Sequence, residues 1–87
     1  MIHVLVTGDV QGVGFRQYIR YQARKLNIKG WVKNLSDGRV EAVFIGSPEN
    51  VEKMINFSKN GPILADVKSI DVENIQDEEF ESFEILR

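Results

Sequence analysis

Ile2-His3-Val4-Leu5-Val6-Thr7-Gly8-Asp9-Val10-Gln11-Gly12-Val13-Gly14-Phe15-Arg16 changes its periodicity partway along. Ile2 to Thr7 is β-branched and apolar, alternating enough to be a strand, and it ends at Gly8. Gly8 to Gly14 holds three glycines in seven residues, after which Phe15, Tyr18, Ile19, Gln22, Ala23 and Leu26 recur at helical spacing. A strand therefore runs through a loop into a helix. Working outward, Asn27 stops that helix, Ile28 to Lys33 reads as a strand, and Arg39 to Ile45 reads as its hairpin partner across Asp37-Gly38. Ser47-Pro48-Glu49 supplies an N-cap, a first-turn proline and a first-turn acid for a second helix with Val51, Met54, Ile55 and Ser58 on one stripe. That helix ends at Asn60-Gly61-Pro62. Val67 to Ile75 and Glu81 to Leu86 are two more β-rich segments, separated by the solvated acidic turn Gln76-Asp77-Glu78-Glu79. The order predicts an α+β, ferredoxin-like βαββαβ sandwich, with two helices on one face of an antiparallel sheet and a short C-terminal strand.

With 87 residues, 43% hydrophobic and 28% charged, the chain has the composition of an ordinary globular protein, and residues 1–87 read as a single domain. There is no cysteine, which excludes a disulfide framework, a thiolate nucleophile and a Cys-ligated metal. No basic leader with an apolar core and no long apolar run occurs, so neither a membrane partner nor an export signal is expected, and the default location is cytoplasmic. The net charge of -2 conceals an asymmetry: residues 1–40 sum to +5 and the remainder to -7. A basic first half suggests an anionic partner. Arg20 and Arg24, spaced four apart on the first helix, equally suit a solvated helix face.

The loop from Gly8 to Gly14 lies where unpaired backbone N–H groups and a helix dipole make an anion site. Successive N–H groups form a nest for phosphoryl oxygens, and Arg16 is placed to add a permanently charged, bidentate clamp. Alone, such a loop reads first as a tight connection and only second as a phosphate site. It is not a Walker loop, since the lysine and hydroxyl of that motif are missing, and no dinucleotide fingerprint occurs. Asn34, ahead of the hairpin turn, is by itself a turn-forming residue. Gly30 and Trp31 read as a strand irregularity and a large packing side chain. His3 sits within a strand and receives no catalytic role. No His, Asp or Glu cluster has metal-ligand spacing, and no cofactor is called for.

Taken together these residues resemble a known family. Gly8-x-Val10-Gln11-Gly12-Val13-x-Phe15-Arg16 is similar to the first acylphosphatase signature, and Gly30-Trp31-Val32-Lys33-Asn34-x-x-x-Gly38-x-Val40, with Gly46 beyond, to the second. The resemblance extends to length, element order, Gly61-Pro62 and the closing Phe83-Glu84-Ile85. It implies a metal-independent hydrolase of acyl phosphates, with inorganic phosphate as product. Arg16 would bind phosphate together with the loop residues Val10, Gln11, Gly12, Val13 and Gly14, and Asn34 would orient the attacking water. Gly14 departs from many animal members, which are bulkier there. Related units also front larger carbamoyl-phosphate-using maturation proteins, so a non-catalytic or carbamoyl-handling role is the alternative; a free-standing, monomeric enzyme is the expectation. RNA-recognition domains share the topology, but Val43-Phe44-Ile45 lacks the basic and aromatic companions of their signature, so no nucleic-acid partner is expected.

Overall fold

A computed structural model describes all residues, 1–87. In chain order the elements are β1 (Ile2–Asp9), α1 (Phe15–Lys25), β2 (Lys29–Asn34), β3 (Val40–Ile45), α2 (Pro48–Asn60), β4 (Asp66–Asn74) and β5 (Phe83–Ile85). They form one five-stranded sheet in the order β4-β1-β3-β2-β5, carrying both helices. Each segment expected from the sequence is present, with ends shifted by a residue or two.

The helices take their form from the anticipated local signals. Phe15, Ile19 and Ala23 are buried at four-residue spacing on α1, the stripe that faces a core. Asn27 adopts a left-handed φ of 55°. Asn27 N–H then donates to Arg24 O at 3.4 Å and Ile28 N–H to Ala23 O at 2.9 Å, the Schellman pattern that closes a helix. On α2, Ser47 Oγ accepts from Asn50 N–H at 3.3 Å, satisfying one orphan donor of the first turn. Val51 and Met54 face inward, meeting Val4 and Val6 of β1, Val32 of β2 and Val40, Ala42 and Phe44 of β3 in a single core cluster.

The short C-terminal strand adds a feature to the expected antiparallel sheet: it makes the sheet mixed. β1, β3, β2 and β4 pair antiparallel, but β5 runs parallel to β2, with Gly30 opposite Phe83 and Val32 opposite Ile85. Register explains why. Asn74 at the end of β4 lies opposite Ile2, which lies opposite Phe44, which lies opposite Gly30. The chain leaving β4 therefore emerges at the end of the sheet where β2 begins. A strand laid down after crossing that end must travel in the direction of β2. Phe83 there is buried and stacks on Phe44 with centroids 5.9 Å apart. Arg24 is exposed, as a solvated helix face requires, and also donates from Nη2 to Phe83 O at 3.1 Å, tying the short edge strand to α1. Gly30 is a site of close approach, since a Cβ there would stand 2.1 Å from Val43 O.

Because β1 and β2 are both antiparallel to β3, their C-terminal ends open at the same end of the sheet. β4 starts there too, with Asp66 opposite Asp9. The loop preceding α1 and the turn following β2 are consequently brought together by topology.

Candidate active site

The loop leaving β1 is held by its apolar residues and presents its glycines. Val10 is buried and Val13 packs on the core cluster, while Gln11, Gly12 and Gly14 are exposed. With their side chains turned inward, Val10 and Val13 offer a ligand only their backbone. Gly14 is the N-cap of α1 at φ 78°, ψ 17°, with no side chain capping the helix. None of the N–H groups from Val10 to Gly14 donates to another backbone group, and those of the first helical turn have no intrahelical acceptor by construction. The result is a run of free donors at the positive end of a helix dipole.

Arg16 is the second residue of α1 and half-buried, and it takes part in no ion pair, unlike Arg24 and Arg39, which pair with Glu84 and Asp37. Its guanidinium is thus uncommitted next to the free amides. Asn34 closes β2 opposite Val40. Its Oδ1 is buried with no hydrogen-bond partner, so it is an acceptor awaiting a donor. The turn-forming task expected of Asn34 falls to Asp37, whose carboxylate accepts from Arg39 N–H at 3.1 Å and from Arg39 Nε at 2.8 Å. The backbone bond from Arg39, aided by its side chain, holds the Asp37 carboxyl below its ordinary 3.8.

Gln11 connects the two segments. Its Nε2 donates to Leu35 O at 2.8 Å and to Arg39 O at 3.0 Å. Its side chain is thereby engaged with the turn and only its backbone N–H is left for a ligand. The sequence reading did not foresee this bridge; its one signal was a polar carboxamide set among valines and glycines. Arg16 does not reach Asn34 Oδ1 with a hydrogen bond. The roomier clefts, of about 540 and 530 Å³, lie along α1 at Gln17, Arg20 and Tyr21 and beside Glu78 to Glu81. A phosphoryl group is grasped by convergent donors rather than by a deep cavity, so the loop and not those clefts is the candidate site. His3 lies away from this end, its Nε2 2.6 Å from Glu41 Oε2. Asp9 is exposed. No three His, Asp or Glu side chains converge, and no helix is long and apolar enough to cross a membrane.

A βαββαβ sandwich whose first strand-to-helix loop offers free amides beside an unpaired arginine defines a small α+β protein of the ferredoxin-like class with a candidate anion site. The acylphosphatase family model matches residues 2–85. An acylphosphatase of Archaeoglobus fulgidus is 45% identical over 84 residues, covering 97% of this chain and 94% of that one. The structure of an acylphosphatase from Coxiella burnetii superposes with a TM-score of 0.94 at 40% identity, covering 98% and 90% of the two chains. The fold also matches 11% of T. kodakarensis HypF, with 97% of this chain covered, 39% identity and a TM-score of 0.81. This chain belongs to the acylphosphatase family, and its activity is that of an acylphosphatase hydrolase.

Proposed function

We propose that Arg16 and the backbone amides from Val10 to Arg16 hold the phosphoryl group of an acyl phosphate while Asn34 Oδ1 orients the attacking water. The observation that carries this reading is the buried, unpartnered Oδ1 of Asn34, next in sequence to a turn that Gln11 ties to a loop of unpaired donors. An Oδ1 that accepts a hydrogen bond from water leaves the water's lone pair directed at phosphorus. The charge on the transferring group is met by amides and a guanidinium already in place, so little reorganisation accompanies reaction.

The substrate's own chemistry removes the need for further groups. The leaving carboxylate has a conjugate acid with a pKa of roughly 4, like a Glu side chain, and departs unprotonated at neutral pH. Asparagine is no base, and His3 is occupied with Glu41, so the water's proton passes to the substrate's phosphate. The rate is accordingly expected to show no enzyme group titrating near neutrality in a pH and solvent-isotope profile; a group that did titrate there would exclude this proton path. The reaction needs neither metal nor cofactor, and residues 1–87 act as one monomeric domain without nucleic acid. Without cysteine the chain needs no oxidising compartment to fold, and we place the protein in the cytoplasm. Acetyl phosphate, carbamoyl phosphate and 1,3-bisphosphoglycerate all carry the required bond.

The test is hydrolysis of benzoyl or acetyl phosphate in the presence of a chelator, for the wild type, Arg16→Ala and Asn34→Ala, each checked for folding. Each variant is expected to lose at least about 100-fold in kcat/KM, the scale of removing one transition-state donor. Full activity in both would sink the site assignment.

A further inference from the structure

The Gln11 side chain belongs to neither the phosphate cradle nor the water-orienting amide, yet it spans the space between them. Both hydrogens of Nε2 are used, one on Leu35 O and one on Arg39 O. These carbonyls also close the turn internally, accepting from Gly38 N–H at 3.2 Å and from Leu35 N–H at 2.8 Å respectively. Each carbonyl oxygen has two lone pairs, so Gln11 takes the second on both. Leu35 follows Asn34 directly, and a shift of its peptide re-aims the Asn34 side chain. No backbone hydrogen bond runs from Val10–Gly14 to Leu35–Arg39, which leaves this carboxamide as the polar tie between the segments. Its chemistry is specific: a glutamate has no hydrogen to donate to two carbonyls, and a methionine of similar length has none either.

We propose that Gln11 is a positioning residue that fixes Asn34 Oδ1 relative to the anion-binding amides of its own loop, and so acts on the chemical step through Asn34. This rests on the role given to Asn34 above. A guiding contact of this kind affects turnover rather than capture, because Arg16 and the loop amides hold phosphate regardless of where Asn34 points. Misplacement of a reacting group by an ångström costs up to about 100-fold, and a tie at the solvent-exposed edge of the site costs less, about tenfold.

The experiment compares kcat and KM for benzoyl phosphate, and the inhibition constant of inorganic phosphate, in Gln11→Met and Gln11→Glu, each in the wild-type and the Asn34→Ala background. Gln11→Met is expected to lower kcat about tenfold, with KM and the phosphate constant within about twofold of wild type. Gln11→Glu is expected to fall further, its carboxylate facing two carbonyls. In the Asn34→Ala background Gln11→Met changes kcat by less than about twofold, since residues acting as a unit are non-additive. Equal losses in both backgrounds, an unchanged kcat, or a loss carried by KM would each overturn the inference. If the wild type hydrolyses benzoyl phosphate and Asn34→Ala impairs it while Gln11→Met does not, only the role of Gln11 fails. An inactive wild type or an unimpaired Asn34→Ala fails the reading of the site itself.

Discussion

The loop from Gly8 to Gly14 and the turn from Leu35 to Arg39 sit at the same end of one sheet and satisfy their backbones in opposite ways. In the loop, no N–H from Val10 to Gly14 finds a backbone acceptor. In the turn, Leu35 and Gly38 donate to Arg39 O and Leu35 O, Asp37 accepts from Arg39 N–H, and both carbonyls receive Gln11 as well. The difference matches what each segment is proposed to hold. A charged phosphoryl group arrives with acceptors and needs donors that are not already spent. A water molecule must be held at one angle by one acceptor, which needs a frame that cannot flex. The loop obtains its shape from apolar anchors at Val10 and Val13, the turn from hydrogen bonds.

If that division is right, removing an element on each side has separable consequences, the largest at the two polar side chains. Beyond the shared loss in turnover, Arg16→Ala is expected to weaken competitive inhibition by inorganic phosphate at least about tenfold, since a charge-assisted hydrogen bond contributes roughly 1.5–3 kcal/mol. Asn34→Ala is expected to leave that constant within about threefold while kcat collapses. Equal weakening of phosphate by both variants would erase the distinction between a capturing loop and an orienting turn.

Next comes the frame of the loop. Val10 is 1% exposed, and Val10→Ala is expected to cost about 2 kcal/mol in chemical denaturation from lost methyl burial and the void left behind. No comparable cost is expected at exposed Gln11, where Gln11→Met leaves stability within about 0.5 kcal/mol. A reversal, with Gln11 holding the loop's stability and Val10 neutral, would mean that the loop is built like the turn. Gly14 is a subtler case. Its φ of 78° is left-handed, yet a Cβ added there meets nothing within 4 Å. Gly14→Ala is therefore expected to cost only about 1 kcal/mol of backbone strain and to spare most of the activity. Loss of phosphate binding in that variant would show that the glycine serves the ligand directly rather than the backbone.

How much of this was legible beforehand depends on the range of the interaction. The caps at Ser47-Pro48-Glu49 and Asn27 act within a few residues, and the helical stripes and strand alternation within a dozen, so elements and their order could be read. The direction of β5 could not, because it follows from which end of the sheet the chain crosses after β4. The same holds for Arg24, whose acceptor Phe83 O is 59 residues away, and for Gln11, whose two carbonyls lie 24 and 28 residues on. For Asn34 the residue type alone suggested a turn former, a task the structure gives to Asp37. Only the joint pattern of two signatures singled Asn34 out, and its unpaired Oδ1 supplies the physical reason.

The smallest expected effect tests whether the turn's charged tip matters to the site at all. Asp37 sits at the surface with its carboxyl held below the ordinary value, first by the Arg39 N–H and then by the Arg39 side chain. A carboxyl lowered on folding contributes stability above its unfolded pKa, near 3.8, and that contribution is lost as pH falls through the folded pKa. Asp37→Asn keeps an oxygen acceptor for Arg39 N–H but discards the charge. It is expected to be slightly less stable than wild type at neutral pH, to lose less stability on acidification below about pH 4, and to approach wild type at high salt. Turnover at pH 7 should be unchanged, because Leu35 N–H still reaches Arg39 O, Gly38 N–H still reaches Leu35 O, and Gln11 still bridges the turn. Thermal melts across that acid range, with kcat measured alongside, decide the matter. A fall in kcat with stability intact would mean that the charge at the tip steers Asn34, so that the frame of the turn includes an ion pair as well as its backbone bonds.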